Sequence, residues 1–305
     1  MKKHFVLPAL LIFIMLPLPA TAAMRVFACE PEWAALVNEL AGDHVKIDSA
    51  TRPSQDPHYV QARPSLISKI SRADLLVCTG AELEAGWLPL LLRKGSNKRI
   101  LAGQPGHLMI ADSIQLKDKP ASLDRSEGDV HAAGNPHLQT DPRNMLPAAV
   151  AITERLSLLD RKNAHLYRQN LVEFEVRWQD AIAAWEQKAA PLRGMPVVVY
   201  HRSWVYLQDW LGLKEVSSLE PKPGVPPGSS YLADVISRTK GLSGLAIIHS
   251  QYQESKAINW FANQSGAPVI LLPSTVGGTA EAKDLFSWYE DIVTRLLNAQ
   301  GGKHD

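Results

Sequence analysis

The sequence predicts an α/β protein of two lobes, each a small parallel sheet flanked by helices, joined by a long rigid bridging helix. Three observations predict it. Short apolar runs alternate with amphipathic stretches on either side of the chain's middle, the pattern of parallel strands joined by crossover helices. The middle itself, residues 142–192, contains almost no turn chemistry. The chain, at 305 residues, is also longer than the roughly 250–300 residues at which single cores stop growing.

The elements follow in order. Residues 25–29 read as a strand, and 31–41 as a helix with Trp33, Leu36, Val37 and Leu40 on one face. Residues 44–50 form a second strand, 64–70 a short helix and 75–78 a third strand. A less regular region begins at 108–110 and ends in 126–134, a stretch of Gly, Asp and Ala without periodicity that reads as an exposed loop. Asp160 is expected to cap a helix over 161–190 whose apolar positions keep no sustained heptad, so a coiled coil is not expected. At 1.5 Å per residue this helix would reach about 45 Å, longer than one small lobe. Beyond it the alternation restarts, with strands at 196–200, 216–219, 245–248 and 269–272. Helices are expected at 204–210, 229–240, 254–265 and 282–299. In such sheets ligands lie beyond the carboxyl ends of the strands, which puts the crevice between the two lobes.

Residues 1–22 read as an export signal: Lys2 and Lys3, then an apolar run interrupted by Pro8 and Pro17, then Ala20-Thr-Ala22. The run is too short and too rich in proline for a membrane span. The expected organisation is a signal at 1–22, an N-terminal lobe at 23–159, the bridging helix at 160–190 and a C-terminal lobe at 191–305. Thirty-two basic against 31 acidic residues give a net charge of +1, which lacks the basic field that nucleic-acid binding requires. Cys29 and Cys78 close two apolar stretches. An even count in an exported chain favours their pairing, and neighbouring parallel strands would set the two thiols side by side.

Three histidines occupy the positions where this architecture places a site. His58 follows the second strand in Asp56-Pro-His58-Tyr, His137 stands in Asn135-Pro-His137-Leu, and His201 follows the strand ending at Tyr200. Imidazole nitrogen suits zinc far better than magnesium or calcium. The separations are long, so the fold must assemble the group. His249 also ends a strand, but reads as a hydrogen-bonded loop residue. Arg143, Arg202 and Trp204 stand near the histidines as supporting or packing residues. Trp178, Trp185, Trp204, Trp210, Trp260 and Trp288 read as packing in the core and between the lobes.

These motifs, taken in order, resemble the periplasmic zinc- and manganese-binding components of metal ABC importers, the cluster A-I solute-binding proteins with a rigid bridging helix. Further matches are Arg63-Pro-Ser65, Ser71-Arg-Ala73-Asp74, Gly80-x-Glu82-Leu-Glu84, Asp141-Pro-Arg-Asn144, Tyr200-His201-Arg-Ser-Trp204 and Leu219-Glu-Pro-x-Pro-Gly224. The resemblance covers essentially the whole exported chain. It implies that His58, His137 and His201 bind the metal between two lobes and that the long helix limits hinge motion. It implies a periplasmic monomer that carries Zn²⁺ as transported ligand to a membrane ABC permease, with a periplasmic metallochaperone as a candidate further partner and no catalysis. The alternatives are a zinc hydrolase working through an open three-histidine site and a manganese-binding relative. The sequence departs from the pattern twice. The aspartate that many members use as a fourth ligand is replaced by Ser274, which leaves water, Asp284, Glu220 or nothing at that position. The loop before His137 is short in histidine, with only His131, so ion scavenging by that loop is not expected.

Overall fold

The structure is a computed structural model and describes residues 23–120 and 131–301. The export signal read at 1–22 and the loop residues 126–130 lie outside the described residues. The N-terminal half begins with β1 (Met24–Ala28), α1 (Pro31–Ala41), β2 (Val45–Ser49), α2 (Pro64–Ile70) and β3 (Leu75–Cys78). It continues through α3 (Leu88–Gly95) and β4 (His107–Met109). Its four strands are parallel, in the order β2-β1-β3-β4. After α4 (Met145–Leu159) and α5 (Ala164–Ala189) come β5 (Pro196–Val199), α6 (Val205–Leu211), β6 (Lys214–Ser218) and α7 (Ser229–Thr239). The C-terminal half closes with β7 (Ala246–His249), α8 (Ser255–Ser265), β8 (Val269–Leu271) and α9 (Leu285–Gln300). Its sheet repeats the same order, β6-β5-β7-β8, also all parallel.

Alternation along each strand divides the packing into layers. Val26 and Ala28 of β1 face inward while Phe27 and Cys29 pack in a separate outer cluster with Ile70, Leu76 and Cys78. Val197 and Val199 of β5 likewise face inward, and Val198 packs outward with Leu232, Ile247 and Phe261. The two inward faces belong to one continuous core, filled by Trp33, Trp178, Trp204, Trp288 and Tyr289, all fully buried. A disulfide joins Cys29 to Cys78 across the ends of β1 and β3, as their even count favoured.

α5 is the spine of this arrangement. Its first half holds the N-terminal lobe: Asn170 Nδ2 donates to the Leu40 carbonyl at 3.0 Å and Arg177 pairs with Glu39 at 2.8 Å. Its second half holds the C-terminal lobe, where Trp185 Nε1 donates to Glu290 at 3.0 Å and Lys188 pairs with the same carboxylate. The spine is shorter than expected. Asp160 does not cap it: Asp160 terminates α4, and its carboxylate accepts from Asn163 Nδ2 and the Tyr167 hydroxyl, both at 2.7 Å. The helix therefore starts at Ala164. Trp260 departs from the packing role expected of it, with 38% of its surface exposed.

Candidate metal centre

The site is built where the carboxyl ends of the two sheets face each other. His58 lies in the loop after β2. Trp87 Nε1 donates to the Pro57 carbonyl at 2.9 Å and so fixes the backbone just before it. Asp56 Oδ1 accepts from the His58 backbone N at 2.9 Å and from His58 Nδ1 at 2.7 Å. Burial raises the Asp56 pKa, but its hydrogen bond to His58 and the charges of His58 and His201 outweigh that and hold it below the usual value. Asp56 is therefore an anion at neutral pH, Nδ1 keeps the proton, and Nε2 presents its lone pair.

His201 repeats the device from the other lobe. It follows β5, and its Nδ1 lies 2.6 Å from Glu220 Oε2, beyond the end of the neighbouring strand β6. The same oxygen accepts from the Gly224 backbone N at 3.1 Å. His137 comes from the segment that leads into α4. Its backbone N donates to Asn135 Oδ1 at 3.0 Å, and Asn135 Nδ2 donates to the Arg202 carbonyl at 2.8 Å. The Tyr206 hydroxyl donates to the Asn135 carbonyl at 2.7 Å, so a C-terminal side chain holds the segment in place. His137 is 2% exposed, and burial, with the charges of His58, His201 and His131, pushes its pKa well below the usual value. It is neutral at neutral pH, the form that binds metal.

The three rings converge. Their centroids are 5.2 Å (His58–His137), 5.4 Å (His137–His201) and 5.7 Å (His58–His201) apart. One ligand nitrogen from each lies within 4.8 Å of the others. Nε2 of His58 and of His137 is buried without a partner among the described residues, a costly state for a polar atom unless a ligand completes it. Such a trio can hold a borderline cation, with three positions of a tetrahedron filled by nitrogen.

The other sequence candidates stand elsewhere. His249 Nδ1 bonds to the Ser250 carbonyl at 3.0 Å, outside the trio. Asp284 caps α9 through a reciprocal pair of bonds with Ser287, and Glu220 is engaged by His201, so neither stands as a fourth ligand here. Ser274 Oγ accepts from Gln251 Nε2 at 3.1 Å. Arg143 binds Asp141 at 2.7 Å and Asp209 at 3.1 Å, while Arg202 pairs with Asp118 and Glu215, each at 3.1 Å. Both brace the segments that carry the histidines.

Sequence reasoning missed a group of buried acids beside the seam. Glu30 and Glu32 open α1, and Glu84 follows β3; each is at most 3% exposed. Thr79 links two of them, donating its Oγ1 to Glu30 at 3.0 Å and its backbone N to Glu84 at 2.7 Å. Thr275 Oγ1, from the other lobe, donates to Glu32 at 2.5 Å. Burial pushes Glu32 and Glu84 up to about 7, and burial with the charges of Glu84 and Glu32 pushes Glu30 higher than its usual value. Acids at a helix start read from sequence as ordinary partners of the helix dipole, and only the tertiary packing reveals them as buried.

A family model described as the zinc-uptake complex component A, periplasmic, matches residues 26–299. The high-affinity zinc uptake system protein ZnuA of Yersinia pestis is 24% identical over 227 residues, 70% of this chain and 67% of that protein. Its namesake in Bacillus subtilis is 23% identical over 265 residues, 86% of this chain and 81% of the relative. A solved structure of a ZnuA deletion mutant with zinc bound superposes with a TM-score of 0.76 at 22% identity, covering 92% of this chain and 98% of the other. Among the described residues no helix is long and apolar enough to cross a membrane.

Proposed function

This chain belongs to the family of periplasmic zinc-uptake components, and from that premise we propose that His58, His137 and His201 hold one Zn²⁺ as cargo for an ABC permease. The family is one of binding proteins, not enzymes. The observation that carries the ligand assignment is the convergence of three imidazole nitrogens within 4.8 Å, two of them buried and unpartnered among the described residues. Asp56 and Glu220 orient two of the rings from outside the ion, as carboxylates beside metal-binding histidines commonly do. The lobes we assign are residues 23–159 and 191–305, bridged by the helix and preceded by an export signal at 1–22. Manganese prefers oxygen-rich coordination, and a set of nitrogen donors favours zinc.

The test is metal stoichiometry with competition. One zinc per chain that a large excess of manganese does not displace supports the reading. Preferential manganese binding, or no bound metal, would sink it.

A further inference from the structure

His58 and His201 each set Nδ1 against a carboxylate, Asp56 and Glu220. His137 has no such partner among the described residues; only burial and the charges of other histidines act on its ring. With Nε2 as its ligand nitrogen, Nδ1 carries the proton. A metal-binding histidine nearly always gives that proton to an acceptor.

A small cavity at the seam between the lobes supplies one. It holds about 20 Å³, and His137, Glu30, Gln139 and Trp204 are part of its lining. One water needs about 10–15 Å³ and two to four polar partners. Glu30 Oε1 and Gln139 Oε1 are buried acceptors and Trp204 Nε1 is a buried donor, none with a partner among the described residues. With His137 Nδ1 they make two donors and two acceptors, the full complement of one water. Bonds of this kind are costly to leave unmade.

The Glu30 side chain is held for this role. Glu30 stands at the N-cap of α1, yet its side chain makes no cap bond to the helix, although that position favours residues that do. Instead Trp33 Nε1 donates to Thr79 Oγ1 at 2.8 Å, and Thr79 Oγ1 donates to Glu30 Oε2 at 3.0 Å. That chain pins one carboxyl oxygen and leaves Oε1 for the cavity.

We propose that Glu30 is a positioning residue that orients His137 through one buried water, shared with Gln139 and Trp204. The proposal rests on the three-histidine reading above. Each of the three imidazoles then answers to a carboxyl group, two directly and one across a water.

Nitrogen-15 NMR of the imidazoles in the zinc-free protein tests this, because it reports which ring nitrogen carries the proton. His137 should be protonated at Nδ1. Glu30→Met should mix its tautomers, leave those of His58 and His201 unchanged, and weaken zinc binding about tenfold to a hundredfold in chelator competition. Glu30→Gln keeps an acceptor oxygen and should recover most of that affinity. Gln139→Leu removes the other acceptor without touching Glu30 or Thr79 and should shift the same tautomer, which keeps the test alive if Glu30→Met does not fold. A wild-type His137 protonated at Nε2, or a His137 tautomer unchanged in whichever variant folds, would overturn the proposal. So would a loss of affinity with every tautomer unchanged, which would leave Glu30 a merely structural role. If His137→Ala kept wild-type affinity, the three-histidine reading itself would fall. Loss in His137→Ala with wild-type binding in Glu30→Met would remove the water bridge alone.

Discussion

The two lobes share a strand order but secure their histidines differently. In the N-terminal lobe the carboxylate that orients His58 stands two residues before it, and a disulfide ties β1 to β3 beside the site. In the C-terminal lobe the partner of His201 lies 19 residues away on the end of another strand. No cysteine is available there, and the register of β5 against β6 shifts between Val197 and Val198. The first histidine is oriented by its own loop. The second is oriented only when two strands are correctly paired, so its geometry reports the integrity of the whole sheet.

The largest expected effect falls on both lobes alike. Replacing His58, His137 or His201 with Ala should lower zinc affinity by orders of magnitude, since water must take the lost position. Chelator competition on the three variants checks it, and wild-type affinity in any one would remove that histidine from the site. Protons should compete in the same direction. Zinc requires neutral imidazole, so affinity should fall as the pH drops into the acid range, with protons taken up as the ion is released. A flat titration would point to other donors.

The disulfide separates the lobes more sharply. Replacing both Cys29 and Cys78 with Ser removes a crosslink spanning 49 residues, which the loop-entropy relation values at roughly 4 kcal/mol. Hydrogen exchange should show the loss in β1 and β3, with β5 and β7 little changed. Equal loss in both sheets would mean that the shared core transmits it. The orienting carboxylates come next. Glu220→Gln should cost zinc affinity about tenfold to a hundredfold, and Asp56→Asn less. Glu220 is the more buried, its side chain 11% exposed against 34% for Asp56, and it also holds the Gly224 backbone. A larger loss in Asp56→Asn would reverse the comparison.

The smallest effect concerns the acid that crosses the seam. Glu32 is raised from 4.5 to about 7 by burial, so the folded state binds a proton that the unfolded state has released between those values. Its contribution to stability is fully present below about 4.5 and is lost as pH rises through 7. Glu32→Gln should therefore be more stable than the parent at pH 8 by on the order of 1 kcal/mol, with the difference gone by about pH 5. Denaturant titration at both values measures it, and a variant less stable at pH 8 would contradict the assignment.

Much of this was legible in the sequence. Helices 31–41 and 64–70 and the strand 75–78 match their expected bounds, because proline at the first turn and runs of apolar residues mark them locally. The three histidines were found by their places after strands and by their motifs. The spine's true start was not, because the Asp160 carboxylate bonds to Asn163 and Tyr167, a choice that tertiary packing makes. α3 lay hidden in residues 88–95, where a run of leucines gives no clear period. Glu30, Glu32 and Glu84 were invisible as a group, since their contacts join residues up to 243 positions apart.

α5 spans about 39 Å at 1.5 Å per residue, with no internal glycine or proline to bend it. The core it crosses is continuous from one sheet to the other. A molecule built on such a beam cannot signal its load by changing its outline. Whatever receives the ion must read small differences in the loops around His58, His137 and His201 at the rim of the cleft. An empty carrier would then present almost the same face as a full one and would compete with it for the same landing place.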